Sequence, residues 1–301
     1  MAEKLQTLAW NRVTLLKRRD FLLGLGIAGA GSLAAPRAIR AWALADLSLI
    51  SKGFAGTTLG PDSYFEVHGN AKGPGVLLAG PVFSRTLVPA NVSLQTQIKE
   101  GYIRRLGSRY RLLVTDYPHV EIDGKEANKP LLAVEDVCKD YLSLADAAGM
   151  DRFAVAGYSW GGNAMLQLAT RSRRVAALVV GGWPAIDGPY DLLLQSVLAQ
   201  QKAHPDRPEI GRYINYYKSL QDWPERTEVE KLTCPRLNYV DAADGDDTDF
   251  IGRFRKNRET LQKLGWETAE VRSGNGHAGG LMPEVACPVI GAFLDKHFLP
   301  N

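Results

Sequence analysis

Cysteine is scarce in this chain: Cys138, Cys234 and Cys287 are the only three in 301 residues. Their spacing is too wide for a zinc knuckle or a CxxC redox pair, and three thiols are too few for a disulfide framework. One bridge is open to them in an oxidising compartment, but the simplest reading is three buried small hydrophobes. Long apolar runs are lacking too. Beyond the N-terminal region no stretch of eighteen uncharged apolar residues occurs, which argues against a membrane-spanning helix in the body. A basic stripe is also missing. The formal charge of +3 is unevenly distributed, because residues 1–43 hold seven basic and two acidic side chains and leave residues 44–301 at −2. The body therefore offers no surface suited to nucleic acid. No internal repeat or low-complexity linker interrupts it. What is present is an ordinary globular composition, 45% hydrophobic and 23% charged, long enough for one large α/β domain.

The N-terminal segment has the order of an export signal: a basic region, a short Gly- and Ala-rich apolar stretch from Phe21 to Ala35, and a small-x-small site at Ala41-Trp42-Ala43. Lys17-Arg18-Arg19-Asp20-Phe21-Leu22-Leu23 resembles the twin-arginine motif, which implies export of a folded protein by the twin-arginine machinery. The expectation is a leader over residues 1–43 and a periplasmic or secreted domain over 44–301. A leader that is not cleaved would leave the protein anchored to the membrane.

The body alternates strand-like and helix-like runs, the signature of a mostly parallel sheet covered by helices. Strands are expected at Ser63 to His68, Val76 to Ala79, Arg111 to Thr115, Phe153 to Ala156, Val175 to Val180, Leu237 to Val240 and Thr268 to Arg272. Helices are expected at Val92 to Leu106, Leu131 to Ala148, Asn163 to Arg171, near Asp249 to Leu264, and at Pro283 to His297. The alternation breaks over residues 183–233, which contain six aromatic residues (Trp183, Tyr190, Tyr213, Tyr216, Tyr217 and Trp223) and no clear strand. This reads as a helical insert: either a lid over a moderately hydrophobic substrate or helices packed in the ordinary way.

Gly157-Tyr158-Ser159-Trp160-Gly161 is a G-x-S-x-G sequence. Its context gives it meaning, because it falls where an apolar strand ends and a helix begins. Small residues on both sides permit the sharp turn that lifts a serine out of the sheet, and the following helix start favours developing negative charge. A serine hydroxyl needs a base to take its proton. Of five histidines, His68, His119, His204 and His297 read as structural or surface residues. His277 lies in Gly274-Asn275-Gly276-His277-Ala278-Gly279-Gly280, a glycine-rich loop between the last strand and the last helix, where an imidazole can swing over the nucleophile. The base in turn needs an acid to hold its tautomer. The run Asp241-Ala242-Ala243-Asp244-Gly245-Asp246-Asp247 supplies candidates. It is not an EF-hand loop, since Ala243 occupies a ligand position.

These residues together resemble the α/β-hydrolase superfamily. Tyr64 to Gly69 followed by Pro74 to Gly80 is similar to its opening strands, and Asp116-Tyr117-Pro118 resembles the turn after its fourth. Cys234 to Asp244 resembles the stretch ending in its acid, and Gly276-His277 to Leu294 its closing segment. The resemblance spans about residues 47–300. It implies an α/β-hydrolase fold with a helical lid at 183–233 and a triad of Ser159, Asp244 and His277. Asp241 is expected to stay at its strand end, and Asp246 and Asp247 suit the next helix N-terminus. One departure from the family is Pro81, which has no N–H to donate where members use the residue after a His-Gly pair. The oxyanion donors are then expected to be Trp160 and Val82, with Phe83, Tyr158 and Trp183 contacting substrate.

The implied chemistry is acyl transfer, an ester of a small to medium molecule being the first choice, with no metal or organic cofactor required. The fold alone does not choose among ester hydrolysis, peptide trimming, perhydrolysis and carbon–carbon bond hydrolysis. Glu225, Glu228 and Glu230 in the insert would suit a peptidase that binds a peptide amine. A non-catalytic binding protein is the reading outside enzymology, and the intact Ser…Asp…His order argues against it.

Overall fold

The computed structural model describes residues 49–58, 63–79, 89–115, 117, 132–206, 209–245 and 248–299. The leader expected at 1–43 lies outside them, as do Val82, Phe83, Asp246 and Asp247.

Eight strands form one sheet: β1 (Leu49–Ala55), β2 (Ser63–Gly69), β3 (Gly75–Ala79), β4 (Arg111–Thr115), β5 (Phe153–Tyr158), β6 (Val175–Gly181), β7 (Arg236–Asp241) and β8 (Trp266–Val271). Their spatial order is β1-β2-β4-β3-β5-β6-β7-β8. β2 runs antiparallel to both neighbours, and every pairing from β4 through β3 to β8 is parallel. The central strands β3, β5 and β6 are buried along their whole length, so they read as unbroken apolar runs rather than alternating ones.

Helices cover both faces. α1 (Pro89–Leu106) is the first, followed by α2 (Val134–Ala147) and α3 (Trp160–Arg171). The 183–233 insert contributes α4 (Tyr190–Ala203), α5 (Glu209–Lys218) and α6 (Glu225–Glu230). α7 (Phe250–Lys263), the single turn α8 (Gly276–Gly279) and α9 (Pro283–His297) complete the order. One core layer joins α1 and α9 to Val76, Leu78, Ala154, Ala156, Tyr158, Leu237 and Tyr239 of the sheet. The other joins α2, α3, α7 and the insert to Leu77, Ala79, Phe153, Val155, Leu178 and Val240. Successive strand residues thus serve opposite layers, as the pleat requires.

Among the differences from the sequence expectation are β1 and the start of α3. β1 has no counterpart in it, because Leu49 to Phe54 are exposed or half-exposed and LISKGFA shows no clean alternation. α3 begins at Trp160 rather than Asn163, because the helical hydrogen bonding opens with Asn163 N–H donating to the Ser159 carbonyl at 3.1 Å. All three cysteines are free thiols, with Cys138 and Cys287 buried and Cys234 half-buried. Burial pushes the Cys138 and Cys287 thiols up to about 12, which leaves them inert small hydrophobes rather than nucleophiles. Among the described residues no helix is long and apolar enough to cross a membrane.

Candidate active site

Three loops leave the carboxyl edge of the sheet close together, after β5, β7 and β8, where ligands bind in open parallel sheets. The first is a one-residue turn. Ser159 adopts φ 56° and ψ −124°, a conformation a non-glycine residue holds only when its surroundings enforce it. Its N–H extends the sheet by donating to the Gly181 carbonyl at 2.8 Å, and α3 starts at the next residue. Residue 157 must be glycine, because a Cβ there would overlap the carbonyl group of Gly161.

The second loop carries Asp244. Asp244 N–H donates to the Asp241 carbonyl at 3.0 Å, and the Asp244 carbonyl accepts from Ile251 N–H at 3.0 Å, so the turn is fastened to both β7 and α7. The third loop carries the histidine. His277 was expected on a flexible loop, but it sits in the single turn α8 and is 6% exposed. Its ring lies between those of Tyr158 and Phe250, each with a centroid 5.2 Å away.

The structure brings Ser159, His277 and Asp244 into one relay. Asp244 Oδ2 is 2.7 Å from His277 Nδ1, and His277 Nε2 is 2.7 Å from Ser159 Oγ. A carboxylate only accepts, so Nδ1 carries the proton and the Nε2 lone pair is left for the serine hydroxyl. All three side chains are buried, and low polarisability around them strengthens the charge-assisted bond between Asp244 and His277.

Asp241 was expected simply to end its strand, but it has a larger part. It is fully buried. One carboxylate oxygen accepts from Ala243 N–H and the other from Ser273 N–H, both at 2.8 Å, tying the acid turn to the start of the histidine loop. Asp249, rather than a residue of the acidic run before it, caps α7 by accepting from Gly252 N–H at 3.1 Å.

The residues expected to touch substrate or oxyanion are placed as follows. Trp160 supplies the first N–H of α3, one of the helix-start donors with no partner inside the helix. Its indole packs against Tyr216 at 5.3 Å and edge-on to Tyr213 at 6.1 Å. Trp183 is 1% exposed and enclosed by Tyr190 and Phe250. Tyr158 is buried on the α1/α9 side of the sheet, two residues along the pleat from Ala156, and its hydroxyl donates to the His277 carbonyl at 2.7 Å. That phenol faces away from the insert, and its hydroxyl is engaged within the fold. Glu225 is similarly engaged. Its carboxylate accepts the N–H groups of Asp187 at 2.5 Å and Gly188 at 3.1 Å, and burial holds its carboxyl above the usual range. Glu228 pairs with Lys231 and Glu230 is exposed, so these three glutamates form no ring around a peptide amine. No group of three His, Cys, Asp or Glu side chains suited to a metal ion occurs among the described residues.

No family model and no curated protein matches the chain. Several solved structures share its fold. A hydrolase from Pseudomonas aeruginosa is similar over 81% of this chain and 98% of that one, with a TM-score of 0.57 and 16% identity. An esterase from Pyrococcus furiosus is similar over 90% and 99%, with a TM-score of 0.55 and 14% identity. The carboxylesterase CesB from Bacillus subtilis is similar over 82% and 92%, with a TM-score of 0.53 and 16% identity. With the observed strand order, the fold is that of the α/β-hydrolases.

Proposed function

We propose that this chain is a serine hydrolase that cleaves an ester of a small to medium, moderately hydrophobic molecule. The observation that carries this reading is the buried relay of Ser159, His277 and Asp244, with both links at 2.7 Å. Names borne by proteins of similar fold, an esterase and a carboxylesterase, support ester as the bond type.

The proposed steps run in the following order. Ser159 Oγ attacks the ester carbonyl carbon while His277 Nε2 takes the hydroxyl proton, and Asp244 stabilises the imidazolium through Nδ1–H. The carbonyl oxygen becomes an oxyanion facing Trp160 N–H and the start of α3. As the carbonyl re-forms, the C–O bond to the alcohol breaks and His277 delivers its proton to the leaving oxygen. Water then attacks the acyl-serine, giving its proton to Nε2. Breaking the acyl–Oγ bond releases the acid and returns the proton to Ser159. The insert helices α4–α6 are read as a lid beside this edge of the sheet, with Trp160 packed against Tyr213 and Tyr216 of α5 in support. The second oxyanion donor is assigned to Val82, and Phe83 beside it to substrate contact. Both readings rest on the sequence.

A fluorophosphonate probe tests the proposal, because only an activated serine reacts. The wild-type protein should be labelled at Ser159, and Ser159→Ala should lose both labelling and hydrolysis of p-nitrophenyl esters with little change in thermal stability. Labelling that persists in Ser159→Ala would place the nucleophile elsewhere. Export by the twin-arginine route belongs to the same reading. Replacing Arg18 and Arg19 by Lys should leave the precursor in the cytoplasm, and normal export of that variant would refute the route.

A further inference from the structure

Tyr158 and Ser159 are neighbours in sequence but point to opposite sides of the elbow. The pleat of β5 sends Tyr158 into the layer shared with α1 and α9, and its phenol passes beneath the histidine turn. There the hydroxyl donates to the carbonyl of His277 at 2.7 Å, while the ring packs 5.2 Å from the imidazole. The surroundings are cut to fit this phenol. A Cβ at residue 280 would fall on its hydroxyl oxygen, and one at residue 182 would meet its ring, so both positions are glycine.

The turn it grips is weakly held by its own backbone. α8 is four residues long, and Gly280 N–H reaches the Gly276 carbonyl only at 3.3 Å. Gly274 just before it and Gly276 at its first position have φ 76° and 58°, residues that give an unfolded loop many states to leave. An isolated turn of this length does not sustain itself. Its entrance is fixed by Asp241 through Ser273 N–H. At the histidine itself, the Tyr158 hydroxyl joins the residue before the nucleophile to the backbone of the base.

We propose that Tyr158 is a positioning residue that sets the distance and angle between His277 Nε2 and Ser159 Oγ. This rests on the reading of Ser159, His277 and Asp244 as a working triad. Its reach is through His277 alone, since the phenol lies behind the turn and not toward the insert. Proton transfer from Ser159 is steeply sensitive to this geometry, a 1 Å misplacement costing on the order of 100-fold.

Tyr102 provides a matched control. It lines the same small cavity as Tyr158 and Tyr239, and its hydroxyl donates to the carbonyl of Leu281 at 3.0 Å, four residues past the histidine. Tyr158→Phe and Tyr102→Phe therefore remove the same kind of bond from the same segment, but only the first touches His277. In Tyr158→Phe, the rate of fluorophosphonate labelling and kcat for p-nitrophenyl butyrate should fall about tenfold or more, with KM within about twofold of wild type. Installing 4-aminophenylalanine at position 158, which restores a donor, should recover most of the loss. Tyr102→Phe should lose comparable thermal stability yet label within about twofold of wild type. Labelling of Tyr158→Phe at the wild-type rate, equal losses in the two variants, or no recovery with the amino analogue would overturn the proposal. If Tyr158→Phe does not fold, Gly280→Ala takes its place, since the added carbon displaces the same hydroxyl and is read by the same labelling rate. A wild-type protein that the probe does not label at all would instead refute the triad on which the proposal rests.

Discussion

Tyr158 and Trp160 flank Ser159 and face opposite layers of the molecule, and the two layers are held in different ways. On the Tyr158 side the loops are cross-tied by short hydrogen bonds between side chain and backbone: Tyr158 to the His277 carbonyl, Tyr102 to the Leu281 carbonyl and, at the sheet edge, Asp241 to the N–H groups of Ala243 and Ser273. On the Trp160 side rings do much of the fastening, beside the Glu225 carboxylate that accepts from the N–H groups of Asp187 and Gly188. Trp160 meets Tyr213 and Tyr216, Tyr216 meets Tyr217, and Trp183 meets Tyr190 and Phe250. Hydrogen bonds are directional and fix positions to a fraction of an ångström. Apolar packing has no such direction and tolerates substitution that conserves volume. The difference predicts that damage to the ties on His277 itself costs turnover, whereas damage on the packed side costs stability.

The largest effect separates two carboxylates three residues apart. Asp244→Asn should keep the fold and lower kcat by about 10⁴-fold, because an amide facing Nδ1 favours the wrong imidazole tautomer. Asp241→Asn should cost about 1–3 kcal/mol of stability, since its amide leaves one of the two N–H donors at this buried carboxylate without an acceptor, but reduce turnover far less than Asp244→Asn. Steady-state kinetics beside chemical denaturation decide it. A crippled Asp241→Asn with a nearly wild-type Asp244→Asn would mean that the acid is misassigned.

On the insert side, Glu225→Ala should lower unfolding free energy by about 2–4 kcal/mol, because the N–H groups of Asp187 and Gly188 lose their acceptor, while turnover per folded molecule stays near wild type. The pH dependence has a definite sign. Burial raises the Glu225 carboxyl in the folded protein, so the folded state binds more protons than the unfolded chain in the window above the ordinary carboxyl range. The stability this residue contributes is therefore greatest at low pH and falls as pH rises through the raised value. Urea titrations between pH 4 and 8 should show that slope in the wild type and lose it in Glu225→Ala. A variant whose slope matches the wild type would assign the pH dependence to other groups.

The sheet was legible because its central strands are continuous apolar runs bounded by glycine, and the relay because each member stands in a loop with a local signature: a G-x-S-x-G turn, an acidic run, a glycine-flanked histidine. Tyr158 and Asp241 were legible as residues but not as ties. Strands β3, β5 and β6 are apolar on both faces, so their sequence does not say which side Tyr158 takes. The acceptor of its hydroxyl lies 119 residues away. Asp241 was assigned only its strand end, and the partner that gives it meaning, Ser273 N–H, belongs to another strand's exit. Strand β1 escaped because an edge strand that is mostly exposed carries no apolar period.

The smallest expected effect is also the sharpest test of the packed side. Tyr216 is fully buried, and its hydroxyl has no hydrogen-bond partner among the described residues. Burial holds that phenol well above its ordinary range, so it stays neutral and serves the fold as a ring. A buried hydroxyl without a partner costs about 1–3 kcal/mol relative to leaving it in water, and deleting it conserves nearly all the packed volume. Tyr216→Phe should therefore leave the melting temperature unchanged or raise it, by no more than about 1 kcal/mol in equivalent free energy. Removing the ring is a different matter, and Tyr216→Ala should cost about 3–5 kcal/mol. If Tyr216→Phe instead loses about 2 kcal/mol or more, the hydroxyl has a bound water as partner, and the ring cluster too is tied by a hydrogen bond. The contrast between the two sides of the elbow would then fail at its central residue, the one whose ring lies against Trp160.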